Sequence, residues 1–137
     1  MIANVNNVTV STAQSAALLA AIGSGSTIKF YTGAPPNDAS VAVTGTLLAT
    51  LTCSYPFGVV TSGVSGGGEA YLTASPIASG LGVATGIPGF ARLATSGSVG
   101  VIDLDCSASG GGATIIMTPD TITSGAPVQI GSMTLTQ

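Results

Sequence analysis

The sequence predicts an all-β fold, an antiparallel β-sandwich or jelly roll of about eight short strands with one short N-terminal helix. Three observations predict it. Apolar residues recur at every second position in short segments, the period of a half-buried strand. Those segments are separated by stretches rich in Gly, Pro, Ser and Asn, which punctuate β structure. The one run that breaks the period, "AALLAAIG" at 16–23, is rich in Ala and Leu and is bracketed by helix-end signals.

Taken in chain order, residues 1–10, "MIANVNNVTV", lack a helical period and carry asparagines that interrupt a strand, so they read as an extended N-terminal arm. Ile2, Val5 and Val8 are its candidate contacts, because an extended arm can add a strand to a neighbour's sheet edge. The remainder, 11–137, reads as one β-sandwich domain. Ser11 with Gln14 three positions later forms a capping box, and Gly23 supplies a left-handed C-cap, giving a helix of about three turns.

In "TIKFYT" (27–32) Ile28 and Phe30 share one face while Lys29 and Tyr31 share the other. "GAPPNDAS" then has to be a loop, since Pro35 and Pro36 remove ladder donors. "GTLLATLT" (45–52) is a core strand with Leu47, Ala49, Leu51 and then Cys53 on one face. Short strands follow around Val59 and Val60 and from Glu69 to Ala74, and "SGLGVATG" reads as a loop. "IPGFARLAT" and "SVGVIDLDC" read as a hairpin about Ser96-Gly97, with Ile102, Leu104 and Cys106 opposite Asp103 and Asp105. That alternation places both aspartates on solvent. "ATIIMT" is a strand, Thr121–Thr123 a short one, and in "VQIGSMTLTQ" the apolar parity slips at Gly131–Ser132, as a β-bulge requires.

Composition narrows function more than any motif does. The chain has seven charged residues, Lys29, Arg92, Asp38, Glu69, Asp103, Asp105 and Asp120, with net charge −3. Two basic residues cannot neutralise a run of phosphates, so nucleic-acid binding is excluded as a direct activity. No apolar run approaches the roughly 18 residues of a membrane helix, and no Lys or Arg precedes the Ala/Leu run as a signal peptide requires. Without histidine the commonest general base and metal ligand is missing, and no cofactor is expected. Cys53 and Cys106 read as buried free thiols, with a disulfide as the alternative. Asp103 and Asp105, about 7 Å apart on one strand face, are the nearest thing to a catalytic pair, and solubilising charge is the plainer account of them. Arg92 shares a face with Phe90 and reads either as a surface arginine over an aromatic ring or as an interface anchor.

The order "LLAAIGSGSTIKFYTGAPPND…GTLLATLT", then "FG" at 57–58, "ATGIPGFARL" and a closing "IGSMTLT", resembles a group of small structural proteins of tailed bacteriophages. The likeness covers most of the chain and is clearest from Leu18 to Leu51. It implies a non-enzymatic virion protein, made in the host cytoplasm. In that role it would be a head decoration or cement protein on the outer surface of the capsid, bound to the major capsid protein as a homodimer or homotrimer. Lys29, Tyr31, Pro35, Pro36, Phe90 and Arg92 are then the candidate contacts beside the arm. Three other functions remain as alternatives: a tail, neck or head-fibre component, a secreted carbohydrate-binding β-sandwich using Tyr31, Tyr55 or Tyr71, and an enzyme using the aspartate pair.

Overall fold

A computed structural model of the chain describes residues 7–62, 70–75, 77–107, 115–118 and 121–136. The described residues are mostly β, with one helix among them, α1 (Asn7–Ile22). The strands are β1 (Thr27–Tyr31), β2 (Leu47–Thr52), β3 (Gly58–Ser62), β4 (Ala70–Ala74), β5 (Gly80–Leu81), β6 (Phe90–Ala94), β7 (Gly100–Leu104), β8 (Cys106–Ser107), β9 (Ile115–Thr118) and β10 (Pro127–Thr136). One sheet has the order β2-β1-β6-β7; the other runs β3-β4-β10-β9-β8, with β5 also paired to β10. Between these strands the pairings are antiparallel except the short parallel contact of β8 with β9.

Helix α1 starts four residues before Ser11, so the extended arm expected over 1–10 is helical from Asn7 onward. Residues 1–6, with Ile2 and Val5, lie outside the described residues, and Val8 falls in the first turn of the helix. The β-branched run Val8-Thr9-Val10 reads as strand by propensity, but it is continuous with a strong Ala/Leu helix that carries it along. At the other end the expectation holds: Gly23 has φ 65° and donates its N–H to Leu19 O, closing the last turn.

Both sheets and the helix feed one hydrophobic core. Ile28, Phe30, Leu51, Ala91 and Leu93 come from the first sheet, Leu72, Ile115, Met117, Val128 and Met133 from the second, and Ile22 from α1. Cys53 is buried at its margin and Cys106 packs against it, both as free thiols. The hairpin forms about residues 96 and 97, with Thr95 N–H donating to Val99 O and Ser98 in the left-handed region at φ 63°. The bulge at Gly131 is also present, since Ile130 pairs with Met117 and Ser132 with Ile116.

The sheets are tied to each other at two places. At one, the chain runs from β7 through Asp105 directly into β8. At the other, residues 79–86, expected as a loop, are bonded on both sides: Val83 N–H donates to Leu48 O in β2, while Gly82 N–H donates to Ala126 O and Gly86 N–H to Ile122 O. Ile122 makes an isolated bridge to Gly86 in place of the short strand expected at Thr121–Thr123.

Candidate interaction surface

Four of the residues singled out by sequence, Lys29, Tyr31, Phe90 and Arg92, lie together on the outer face of the first sheet. Strand register sets Lys29 beside Arg92 and Tyr31 beside Phe90 across β1 and β6, and Arg92 beside Asp103 across β6 and β7. The Tyr31 and Phe90 rings stack with centroids 5.5 Å apart. The connection from β1 to β2, residues 33–46, folds back over this face, its base closed where Thr32 N–H donates to Thr46 O and Thr46 N–H to the Thr32 hydroxyl.

Arg92 fastens the loop. Its Nε and Nη2 donate to the two carboxylate oxygens of Asp103 at 2.7 and 2.8 Å, and Nη1 donates to the Val41 carbonyl at 2.7 Å. Those bonds to Asp103 raise the guanidinium above its ordinary pKa, against the opposing effect of burial. On the loop side, the Asp38 carboxylate accepts from Ser40 N–H at 2.7 Å and its carbonyl accepts from Val41 N–H at 3.0 Å, a tight turn that aims the Val41 carbonyl at Arg92. The Ser40 N–H holds the Asp38 carboxyl below its ordinary value. Gly100 on β7 lies so close beneath the loop that an added Cβ would stand 2.1 Å from Ala39 O.

Two expectations are corrected here. Neither a surface arginine nor an interface anchor describes Arg92, which is 8% exposed and committed to its own chain. Phe90 is likewise buried, so neither residue offers a contact to a partner. Asp103 does not face open solvent: only a tenth of its side chain is accessible, and its charge is paired. Lys29, Tyr31 and Pro36 are half-buried and Pro35 is exposed. An open hollow of about 430 Å3 remains between Pro35–Ala39 of the loop and Val101–Asp103 of β7.

Burial pushes the Cys106 thiol up to about 11 and raises Cys53 too, so both thiols stay protonated near neutrality. Among the described residues no group of three or more Cys, Asp or Glu could hold a metal ion. No helix among them is long and apolar enough to cross a membrane.

What the sequence reading missed is a row of exposed apolar side chains. Along residues 81–88 exposure alternates, and the outward positions are Leu81 (61%), Val83 (62%), Thr85 and Ile87 (71%), while Gly82, Ala84, Gly86 and Pro88 turn inward. The alternation was visible, but with its polarity inverted: the small residues face in because the backbones approach closely. An added Cβ on Gly82 would stand 2.3 Å from Thr123 O. Tyr55 is also strongly exposed, at 72%. Comparison of the chain with protein-family models, with curated proteins and with solved structures returned no match.

Proposed function

We propose that the protein is a structural component of a tailed-phage virion, a head decoration or cement protein that binds the outside of the major capsid protein lattice. In this reading it stabilises the shell as a homodimer or homotrimer and performs no catalysis. The two sheets, which share one core, would be arranged face to face as a sandwich or jelly roll.

The observation that carries the reading is the row Leu81, Val83 and Ile87, held outward on a segment whose backbone is bonded to both sheets. Exposed apolar side chains on a stiff support suit packing against protein. The sequence likeness from Leu18 to Leu51 supplies the partner class. Few charges mean little desolvation cost and little sensitivity to salt at such a contact. Each contact can be weak, because simultaneous engagement of repeated neighbours raises avidity by orders of magnitude.

The test is quantitative. In virions purified from a host expressing the gene, the copy number should equal that of the major capsid protein or a simple fraction of it, whereas fewer than about a dozen copies sinks the reading. Ile87→Ser with Val83→Thr should cut capsid occupancy while leaving the thermal midpoint of the free protein in place.

A further inference from the structure

Strand β7 ends the first sheet, so one of its sides has no neighbour in that sheet. The phase of the ladder says which residue is left open there. In an antiparallel sheet each residue directs both backbone groups to one side, alternating along the strand, and Cys53 N–H donating to Ser26 O sets that phase. Carried through the registers of β1, β6 and β7, it makes Leu93 with Ile102 and Ala91 with Leu104 bonded pairs. Asp103, between them, therefore directs its N–H and C=O away from β6. The opening is short: on one flank Asp105 O already accepts Ile115 N–H, and on the other Ala39 crosses close against Gly100.

The loop that returns over the sheet stands off from this edge without pairing to it. Among the described residues no backbone hydrogen bond joins 33–46 to 100–104, and Pro35 and Pro36 have no N–H to give. Between loop and strand lies the open hollow of about 430 Å3. It touches Val101, Ile102 and Asp103 in succession, although Ile102 packs on the core and the Asp103 carboxylate turns to Arg92 on the outer face. A space that meets consecutive residues of a strand meets it from the edge, because their side chains alternate between faces. Val101, Ile102 and the two prolines give the hollow apolar walls, and the exposed Asp38 brings a carboxylate.

We propose that this slot takes an extended segment of a different protein, which pairs with the backbone of Asp103 as a short added strand and sets a lysine or arginine side chain against Asp38. Charge selects that occupant. Asp103 is neutralised by Arg92, whereas among the described residues Asp38 has no ion pair and its carboxylate accepts from Ser40 N–H. Together Asp38, Asp103 and Arg92 carry one uncompensated negative charge, which one basic side chain matches. A second copy is poorly equipped to supply it: Arg92 is bonded within its own chain, and Lys29, the other basic side chain, is half-buried in mid-strand. The prolines and the Arg92 clasp hold loop and strand apart in advance, so binding orders little. An exposed ion pair with a pair of backbone bonds is a weak contact, roughly millimolar for a single site.

The inference concerns the free protein and stands apart from the virion reading: peptide binding can fail while capsid occupancy holds, and the reverse. The probe is the blocked peptide acetyl-Val-Arg-Val-amide, added to the whole chain up to about 20 mM and followed by backbone amide chemical shifts. Saturable shifts should centre on Val101, Ile102, Asp103 and Ser40. Asp38→Asn, which keeps an acceptor for Ser40 N–H, should weaken binding at least about three-fold, as should glutamine for arginine in the peptide or a rise in salt from about 0.05 to about 0.5 M. Methylating every backbone nitrogen of the peptide should abolish binding, because no donor then remains for Asp103 C=O. Val83→Thr with Ile87→Ser should leave it unchanged. No saturable shift at Val101–Asp103, equal affinity of Asp38→Asn or of the glutamine peptide, or binding of the methylated peptide overturns the proposal.

Discussion

Replacing Asp103 by alanine tests whether the loop over the first sheet is fastened by a buried ion pair or merely decorated by a surface one. The substitution removes both acceptors at 2.7 and 2.8 Å and leaves the Arg92 guanidinium, one-tenth exposed, with only the Val41 carbonyl. Hydrogen bonds to charged groups contribute about 1.5–3 kcal/mol each, and a charge stranded after its partner is removed costs about 3–5 kcal/mol. With some solvent reaching the site we expect a loss of about 3 kcal/mol, which for a chain of this length lowers the melting midpoint by roughly 10 °C. Urea unfolding followed by circular dichroism gives the free energy, and the Val41 amide, which donates to Asp38 O, should lose protection against hydrogen exchange. The pair Arg92→Met with Asp103→Leu should recover most of the loss, because an apolar pair of similar size leaves no charge unpaired. A loss below about 1 kcal/mol for Asp103→Ala, with Val41 still protected, would refute the reasoning and return the pair to the surface class.

Further outcomes follow from the same geometry. Burial lifts the Cys106 thiol to about 11, so the folded chain holds that proton more tightly than the unfolded one. Stability from this source is complete below the unfolded value and declines as pH rises toward about 11; Cys106→Ser should flatten that decline in urea titrations. Gly100→Ala would force its methyl to within 2.1 Å of Ala39 O, and melting should show a loss of about 1–3 kcal/mol accompanied by faster exchange in residues 38–41. Iodoacetamide should label both cysteines slowly at neutral pH in the native protein and fast in urea, because the thiols are protonated and at least half-covered when folded.

Local signals in the sequence translated well into local structure. The alternation of Ile28 and Phe30 against Lys29 and Tyr31, the glycine cap at 23, the turn at 96–97 and the bulge at Gly131 each depend on a few neighbouring residues, and each is present. What alternation cannot report is what covers a face. Every residue of β6 is buried, because the core takes Ala91 and Leu93 while the returning loop takes Arg92 and its neighbours. Alternation puts Arg92 and Asp103 on the solvent-facing side of their strands; only register and loop closure make them partners. The segment 79–86, read as a loop, departs from expectation for a related reason. Its inward residues are chosen for smallness under crowding, so a rule that turns large apolar residues inward inverts its faces. The helix start was lost because a capping pattern at Ser11 outcompeted the cooperativity of a helix already running from Asn7.

The double bonding of residues 79–86 has a mechanical consequence. A force drawing the two sheets apart along that margin passes through the segment in series, from the bond to Leu48 O on the first sheet to the bonds at Ala126 O and Ile122 O on the other side. The far margin offers no easier start, because there the covalent chain itself crosses from β7 to β8. Pulled this way the domain should resist and then give in a single step, yielding at a sharply defined force.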